Sequence, residues 1–254
     1  PHLFAGYSGG PKAVLPALCG QESVLSNHGQ EMIAHPKANW GICEGNPIWE
    51  EMREAALKVG PAFLLNVTLN DNKEITAVFA GDLLQAHEAG REFVREQAMV
   101  PVDEPYDIVI TPNSGFPLDQ NLYQTVKGMR AAVGIVREGG HIIMVAACED
   151  GIPDHGRYAE LLVEAGSPHG FLDMLAKPGF SEQDQWQVQI QALVQLKAQV
   201  HVFSEGLSDE QIRRALFTPC NDIEATVKQL AQEIGPGVRI CAMPEGPQTT
   251  AYLR

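Results

Sequence analysis

Basic side chains are scarce in this sequence. Lys and Arg number 18 against 32 Asp and Glu, a formal net charge of -14. That balance excludes nucleic acid as a partner, because neutralising phosphates takes clustered Lys and Arg. An anionic substrate would have to be drawn in by a local positive patch against the overall field. Cysteine is sparse too. Cys19, Cys43, Cys148, Cys220 and Cys241 are odd in number and form no CxxC, so neither a disulfide framework nor a thiolate zinc site is indicated. A reducing, cytoplasmic compartment is the simplest expectation. There is no apolar run of transmembrane length and no signal-peptide pattern, hence no expected membrane role. An initiating Met is also missing. The chain opens on Pro1-His2 and is read as a fragment, or as a chain whose upstream part is absent.

What is present is a globular composition: 254 residues, 44% hydrophobic and 20% charged, enough for one large domain or two of ordinary size. Residues 1–30 are rich in Gly, Ser, Asn and Pro and predict loops around a short helix. Ile48, Met52, Ala55, Ala56 and Val59 recur at near-helical spacing, predicting a helix over 46–59. Two β-rich runs, 63–69 and 75–80, flank Asn70-Asp71-Asn72-Lys73 and predict a β-hairpin. A helix over 82–98 follows, with Asp82 as N-cap. The proline-bearing stretch 99–106 predicts a boundary, giving domains 1–100 and 105–254.

Beyond it, strands are expected at 107–111, 141–147, 200–203 and 238–242, as short apolar runs suited to burial on both faces. Between them lie helical stripes: Leu122, Val126, Met129, Val133 and Val136, then Ile223, Val227, Leu230 and Ile234. Ser208 with Gln211, and Asn221 with Glu224, fit capping boxes. Strands with helical crossovers predict an α/β fold: a C-terminal doubly wound parallel-sheet domain, preceded by the latter part of a mixed α/β domain.

The chemistry concentrates at the start, in His2-Leu3-Phe4-Ala5-Gly6-Tyr7-Ser8-Gly9-Gly10-Pro11-Lys12 and Ser26-Asn27-His28-Gly29. Gly6, Gly9 and Gly10 permit close backbone approach to a ligand. Lys12 offers a point charge or a nucleophilic amine, and His2 and His28 each a base or a metal ligand. The segment is not a P-loop, since Gly-Lys-Ser/Thr is missing and Pro11 precedes the lysine. By itself it also reads as a surface turn with a solvated lysine and two incidental histidines, a reading that the two histidines and the lysine around three glycines weaken without overturning.

GYSGGPK, with a histidine ten residues before its lysine and SNHG placing another sixteen residues after it, resembles the nickel-pincer lactate racemase family. So does Asn121-Leu122-Tyr123-Gln124-Thr125-Val126-Lys127, which is similar to that family's C-terminal motif. Ala17 stands where the family more often has Gly. The resemblance implies a racemase or epimerase of 2-hydroxy acids, lactate by analogy. Its cofactors would be nickel and a pincer pyridinium mononucleotide (pyridinium-3,5-bisthiocarboxylic acid mononucleotide). Lys12 would anchor that cofactor through a thioamide, with Gly9, Gly10 and Tyr123 beside it. His28 would ligate nickel, and His2 would be one of two catalytic acid–base histidines. Gln124 and Lys127 would hold substrate, and Trp186 would line the same pocket, although Ile190 and Leu193 continue a core stripe from it. The second histidine and a substrate-clamping Arg would lie upstream of Pro1, so these residues alone are expected to be inactive. As the neighbour of the first residue, His2 is expected to be disordered.

The implied reaction suits these residue types. The Cα–H of a 2-hydroxy acid is not acidic, because the carboxylate opposes a carbanion. Loss of hydride instead leaves a neutral ketone and needs an electrophilic acceptor, which a cofactor supplies. A histidine near its ordinary pKa takes the hydroxyl proton. Inversion needs a base on each face. Two rivals remain on the residues alone: a non-catalytic mononucleotide- or phosphate-binding module, and a nucleotide transferase or hydrolase, for which no carboxylate near the loop offers a Mg²⁺ site. The other six histidines, His87 and His201 among them, lack a partner spacing and are read as structural.

Overall fold

The structure is a computed structural model that describes residues 1–70 and 72–254; Asp71, in the expected hairpin turn, lies outside the described residues. The chain divides into two compact units, Pro1–Met99 and Val100–Arg254.

In the first unit a 3-10 turn, Gly10–Ala13, precedes α1 (Gln21–Asn27), α2 (Gln30–Ala34) and α3 (Pro47–Val59). Asn46 caps α3 by accepting from the Ile48 and Trp49 amides, with Pro47 at the first helical position. The buried stripe of α3 is Ile48, Trp49, Met52 and Ala56. Val59, expected on that stripe, is 65% exposed because the helix ends there at left-handed Gly60. β1 (Leu64–Leu69) and β2 (Ile75–Gly81) pair antiparallel as a hairpin. α4 (Leu83–Ala98) starts at Asp82, whose carboxylate accepts from Leu84 and Gln85. Val14, Ala56, Leu64, Leu83 and Ala86 form a core between these elements.

β3 (Met99–Val102) opens the second unit and pairs with the last strand, β9 (Thr250–Leu253). Between them come β4 (Tyr106–Pro112), α5 (Leu122–Ala132), β5 (Val136–Val145), α6 (Tyr158–Ala165), α7 (Pro168–Leu175), α8 (Gln185–Lys197), β6 (Ala198–Phe203), α9 (Asp209–Arg214), β7 (Thr218–Pro219), α10 (Ile223–Ile234) and β8 (Ile240–Ala242). Five strands form a parallel sheet in the order β7-β6-β5-β4-β8. Ile108, Ile143, Cys220 and Leu230 are buried together under α10, while α5 packs on β4 and β5 and α8 on β5 and β6. Helices therefore cover both faces, and the strand order reverses beside β4: the fold is doubly wound α/β.

Three expectations need correction. Val136 does not close the α5 stripe. The helix ends at Ala132, and Val136, 1% exposed, starts β5, which runs from Val136 to Val145 instead of 141–147. Asn221 does not cap α10; Asp222 does, accepting from the Ala225 amide. The sheet has a fifth strand, β7, too short at two residues to leave a periodic signal. The Ser208–Gln211 capping box is formed as expected. Among the described residues, no helix is long and apolar enough to cross a membrane.

Candidate functional site

The sequence-derived residues fall into two groups, one in each unit. In the first unit, the Phe4 ring stands between two imidazoles. It meets His2 edge-on at 4.7 Å between centroids and His28 at 4.8 Å. His2 is held in a turn: its amide donates to the Gly6 carbonyl at 2.7 Å, and its Nδ1 accepts from the Ala5 amide at 3.2 Å. With Nδ1 accepting, the proton of a neutral ring sits on Nε2.

His28 ends α1, its amide donating to the Val24 carbonyl at 2.8 Å. The preceding residue fixes it further. Asn27 is fully buried and donates to the Ile48 carbonyl and to Glu51 Oε2, at 3.1 and 2.7 Å, which ties the end of α1 to α3. His28 is only 5% exposed, and burial, followed by the nearby Lys12 charge, pulls its pKa down to about 4. The ring is therefore neutral near pH 7, the form a metal requires. Burial also lowers the Lys12 pKa, which moves its amine toward the nucleophilic form.

Gly9 and Gly10 shape the turn that carries Lys12, with φ of 78° and 52°. A Cβ on Gly9 would come within 2.7 Å of Asn66 Oδ1, and one on Gly10 within 2.4 Å of the His87 ring. The close approach that these glycines allow is thus to their own chain. The Gly10 amide is already bonded, donating to Asn66 Oδ1 at 2.9 Å. Beside this turn lies a cleft of about 200 Å³, lined by residues including Tyr7, Ser8, Asn66, Phe79, His87 and Arg91.

The second group sits at the start of α5, which Asn121 caps by accepting from the Gln124 amide. Leu122, Val126 and Met129 are fully buried, while Tyr123, Gln124 and Lys127 occupy a half-buried face. The last two are in contact, Lys127 Nζ donating to Gln124 Oε1 at 2.5 Å. Trp186, half-buried on α8, donates from Nε1 to the Tyr123 hydroxyl at 3.0 Å. Gln187 donates to the Tyr123 carbonyl, and the Tyr158 ring packs edge-on at 5.3 Å. Burial pushes the Tyr123 pKa up to about 12, the Trp186 bond opposing it and Asp184 adding a smaller push in the same direction. Tyr123 is accordingly a neutral hydroxyl.

Sequence reasoning missed Asn66 and His87. They lie 56 and 79 residues from the groups they bind in the turn, and neither belongs to a local motif. Asn27 was visible in SNHG, but its tie to α3 was not.

A doubly wound parallel domain joined to a unit that sets a half-buried lysine near a buried histidine is the class of protein these features define. The family follows from comparison. Residues 102–249 match the model of the lactate racemase C-terminal domain, and residues 1–41 that of the lactate racemase N-terminal domain. The chain belongs to the lactate racemase family. It is 38% identical over 248 residues to lactate racemase of Thermoanaerobacterium thermosaccharolyticum and 37% over 247 residues to that of Lactiplantibacillus plantarum. These alignments take in 97% and 96% of the chain but 58% of each relative, so the chain spans under two thirds of their length. The apoprotein structure of the Thermoanaerobacterium enzyme superposes with a TM-score of 0.91 at 36% identity, over all of this chain and 60% of that one. A Thermotoga maritima protein shares the fold at a TM-score of 0.70 and 17% identity, over 64% of its chain.

Proposed function

We propose that this chain supplies most of the site of an isomerase that racemises a lactate-like 2-hydroxy acid with a nickel-pincer pyridinium mononucleotide. The observation that carries the reading is the pair formed by Lys12 and His28: a half-buried amine with a lowered pKa, close enough to a neutral imidazole to depress it further. Among the described residues, no group of three or more His, Cys, Asp or Glu could hold a metal. A nickel ion at His28 would take its other donors from a cofactor bearing sulfur arms. When bound, that group supplies an electrophilic pyridinium able to accept and return a hydride.

The chain's own residues have distinct tasks. Lys12 would hold the cofactor covalently, and Gly9, Gly10 and Tyr123 would be further cofactor-binding residues. His28 would bind nickel as the neutral imidazole. His2 would hold or move a proton at Nε2. Lys127 would place its charge against the substrate carboxylate, the local positive group that the overall negative charge makes necessary, with Gln124 orienting it. Trp186 would wall the pocket through Tyr123. A second base and a carboxylate-clamping Arg would come from residues outside these 254. Residues 1–100 would be the latter part of the N-terminal domain and 105–254 the C-terminal domain of a cytoplasmic enzyme. The rival phosphate-binding module is less well supported, since Asn66 already takes the Gly10 amide that a phosphate would use.

Nickel per chain, measured in a full-length parent that carries the proposed outside residues and is produced together with the cofactor-synthesis enzymes, tests this. Near-stoichiometric nickel, lost in His28→Ala, is the expected result, with a covalent mass adduct lost in Lys12→Ala. A folded protein that takes up neither nickel nor adduct would overturn the reading.

A further inference from the structure

A turn built on two adjacent glycines is soft, because glycine backbone has the most freedom to lose. A lysine used as an anchor needs a defined position, and here the restraint comes from outside the turn. The peptide plane before Gly9 carries the Ser8 carbonyl, which accepts from His87 Nε2 at 3.1 Å. The plane after Gly9 carries the Gly10 amide, which donates to Asn66 Oδ1 at 2.9 Å. The two torsions of Gly9 are the angles between these planes, so both are fixed. The second plane also carries the Gly9 carbonyl, and that oxygen accepts from the Lys12 amide at 3.1 Å. The restraint therefore passes directly from Asn66 to the Lys12 backbone.

We infer that His87 of α4 and Asn66 of β1 are positioning residues that clamp Gly9 from both sides and thereby set where Lys12 stands. His87 suits the task. It is 4% exposed, and its ring fills the space above Gly10. Burial lowers its pKa, the Ser8 bond opposing this and Arg91 adding a smaller push down, so the uncharged ring is favoured and donates to Ser8 without adding a second cation near Lys12. Asn66 is itself held, its Nδ2 donating to the Leu65 carbonyl at 3.1 Å, which leaves Oδ1 toward Gly10. The importance of Lys12 rests on the proposed function; the clamp itself does not.

Amide hydrogen exchange of Gly10 and Lys12, followed by NMR in the 254-residue chain without cofactor, tests the clamp. Asn66→Leu removes the acceptor and Asn66→Asp keeps it. His87→Ala removes the donor, and His87→Gln offers a side-chain N–H in its place. Exchange should accelerate about tenfold in the Leu and Ala variants and return to within about twofold in the Asp and Gln variants, with β4 and β5 amides unchanged throughout. In protein loaded with cofactor, the fraction of chains carrying a Lys12 adduct should fall and recover in the same pattern. Unchanged exchange in Asn66→Leu and His87→Ala overturns the inference. So does equal loss in the Gln and Ala variants, because ring packing and not the hydrogen bond would then shape the turn. If His87→Ala does not fold, the two Asn66 variants decide. A clamp confirmed by exchange in a protein that never binds nickel would sink the racemase reading alone.

Discussion

At the scale of single residues, burial decides which groups carry charge. His141 on β5 and His201 on β6 share a hydrogen bond, Nδ1 to Nε2, at 3.2 Å. One imidazole donates and the other accepts, so full protonation of both would break the bond. Burial lowers both pKa values. Arg137 adds to this at His141, and His141 adds to it at His201, while Glu233 opposes it at both and Asp107 at His141. A histidine with a lowered folded pKa binds protons more readily unfolded. Its contribution to stability is whole above the ordinary histidine pKa of about 6.5 and declines as pH falls below it. Urea midpoints should therefore drop between about pH 7 and about pH 5, and His201→Gln, which keeps a hydrogen-bonding side chain, should show a shallower drop. Equal slopes for the two proteins would remove the pair from the explanation. Lys12 and His28 were legible as candidates because glycine, lysine and histidine lie close together in the sequence. Their altered protonation was not, since it depends on burial by distant residues.

At the scale of elements, the second unit is assembled by close contacts that local sequence shows only in part. α5 lies close against β4 at Gly128, where a Cβ would lie 2.4 Å from the Pro112 carbonyl oxygen. Gly128→Ala should cost about 1–3 kcal/mol by forcing the helix off the strand, despite alanine's better helix propensity. A stabilised variant in chemical denaturation would show that propensity outweighs packing there. The start of α10 offers a sharper contrast. Asp222→Ala should cost about 1 kcal/mol through loss of the cap, while Asn221→Ala should change little. The reverse order would restore the capping box first read from Asn221 and Glu224. The sequence pattern located the main strands and the buried stripe of α5 because their apolar periodicity is strong. It misplaced the start of β5 because Val136 continues the helical spacing while the chain has already turned at Gly134. It also passed over α6 and α7, whose eight residues each hold barely two turns.

At the scale of the whole molecule, the family resemblance in two short motifs extends to nearly the full chain, while the fold class was readable from strand–helix alternation alone. The tryptophans add a practical consequence. Trp40 and Trp49 belong to the first unit, and Trp186, bonded to the Tyr123 hydroxyl, to the second. Each unit thus carries its own fluorophore. A Trp40→Phe/Trp49→Phe variant should report on the second unit alone, and Trp186→Phe on the first. Coincident emission midpoints from the two variants would show a single cooperative transition, and separated midpoints would show two units that melt independently. Because Trp186 lies against the tyrosine next to Gln124, its emission should also respond when an anion reaches Lys127, which makes one indole an optical gauge of ligand arrival that requires no turnover.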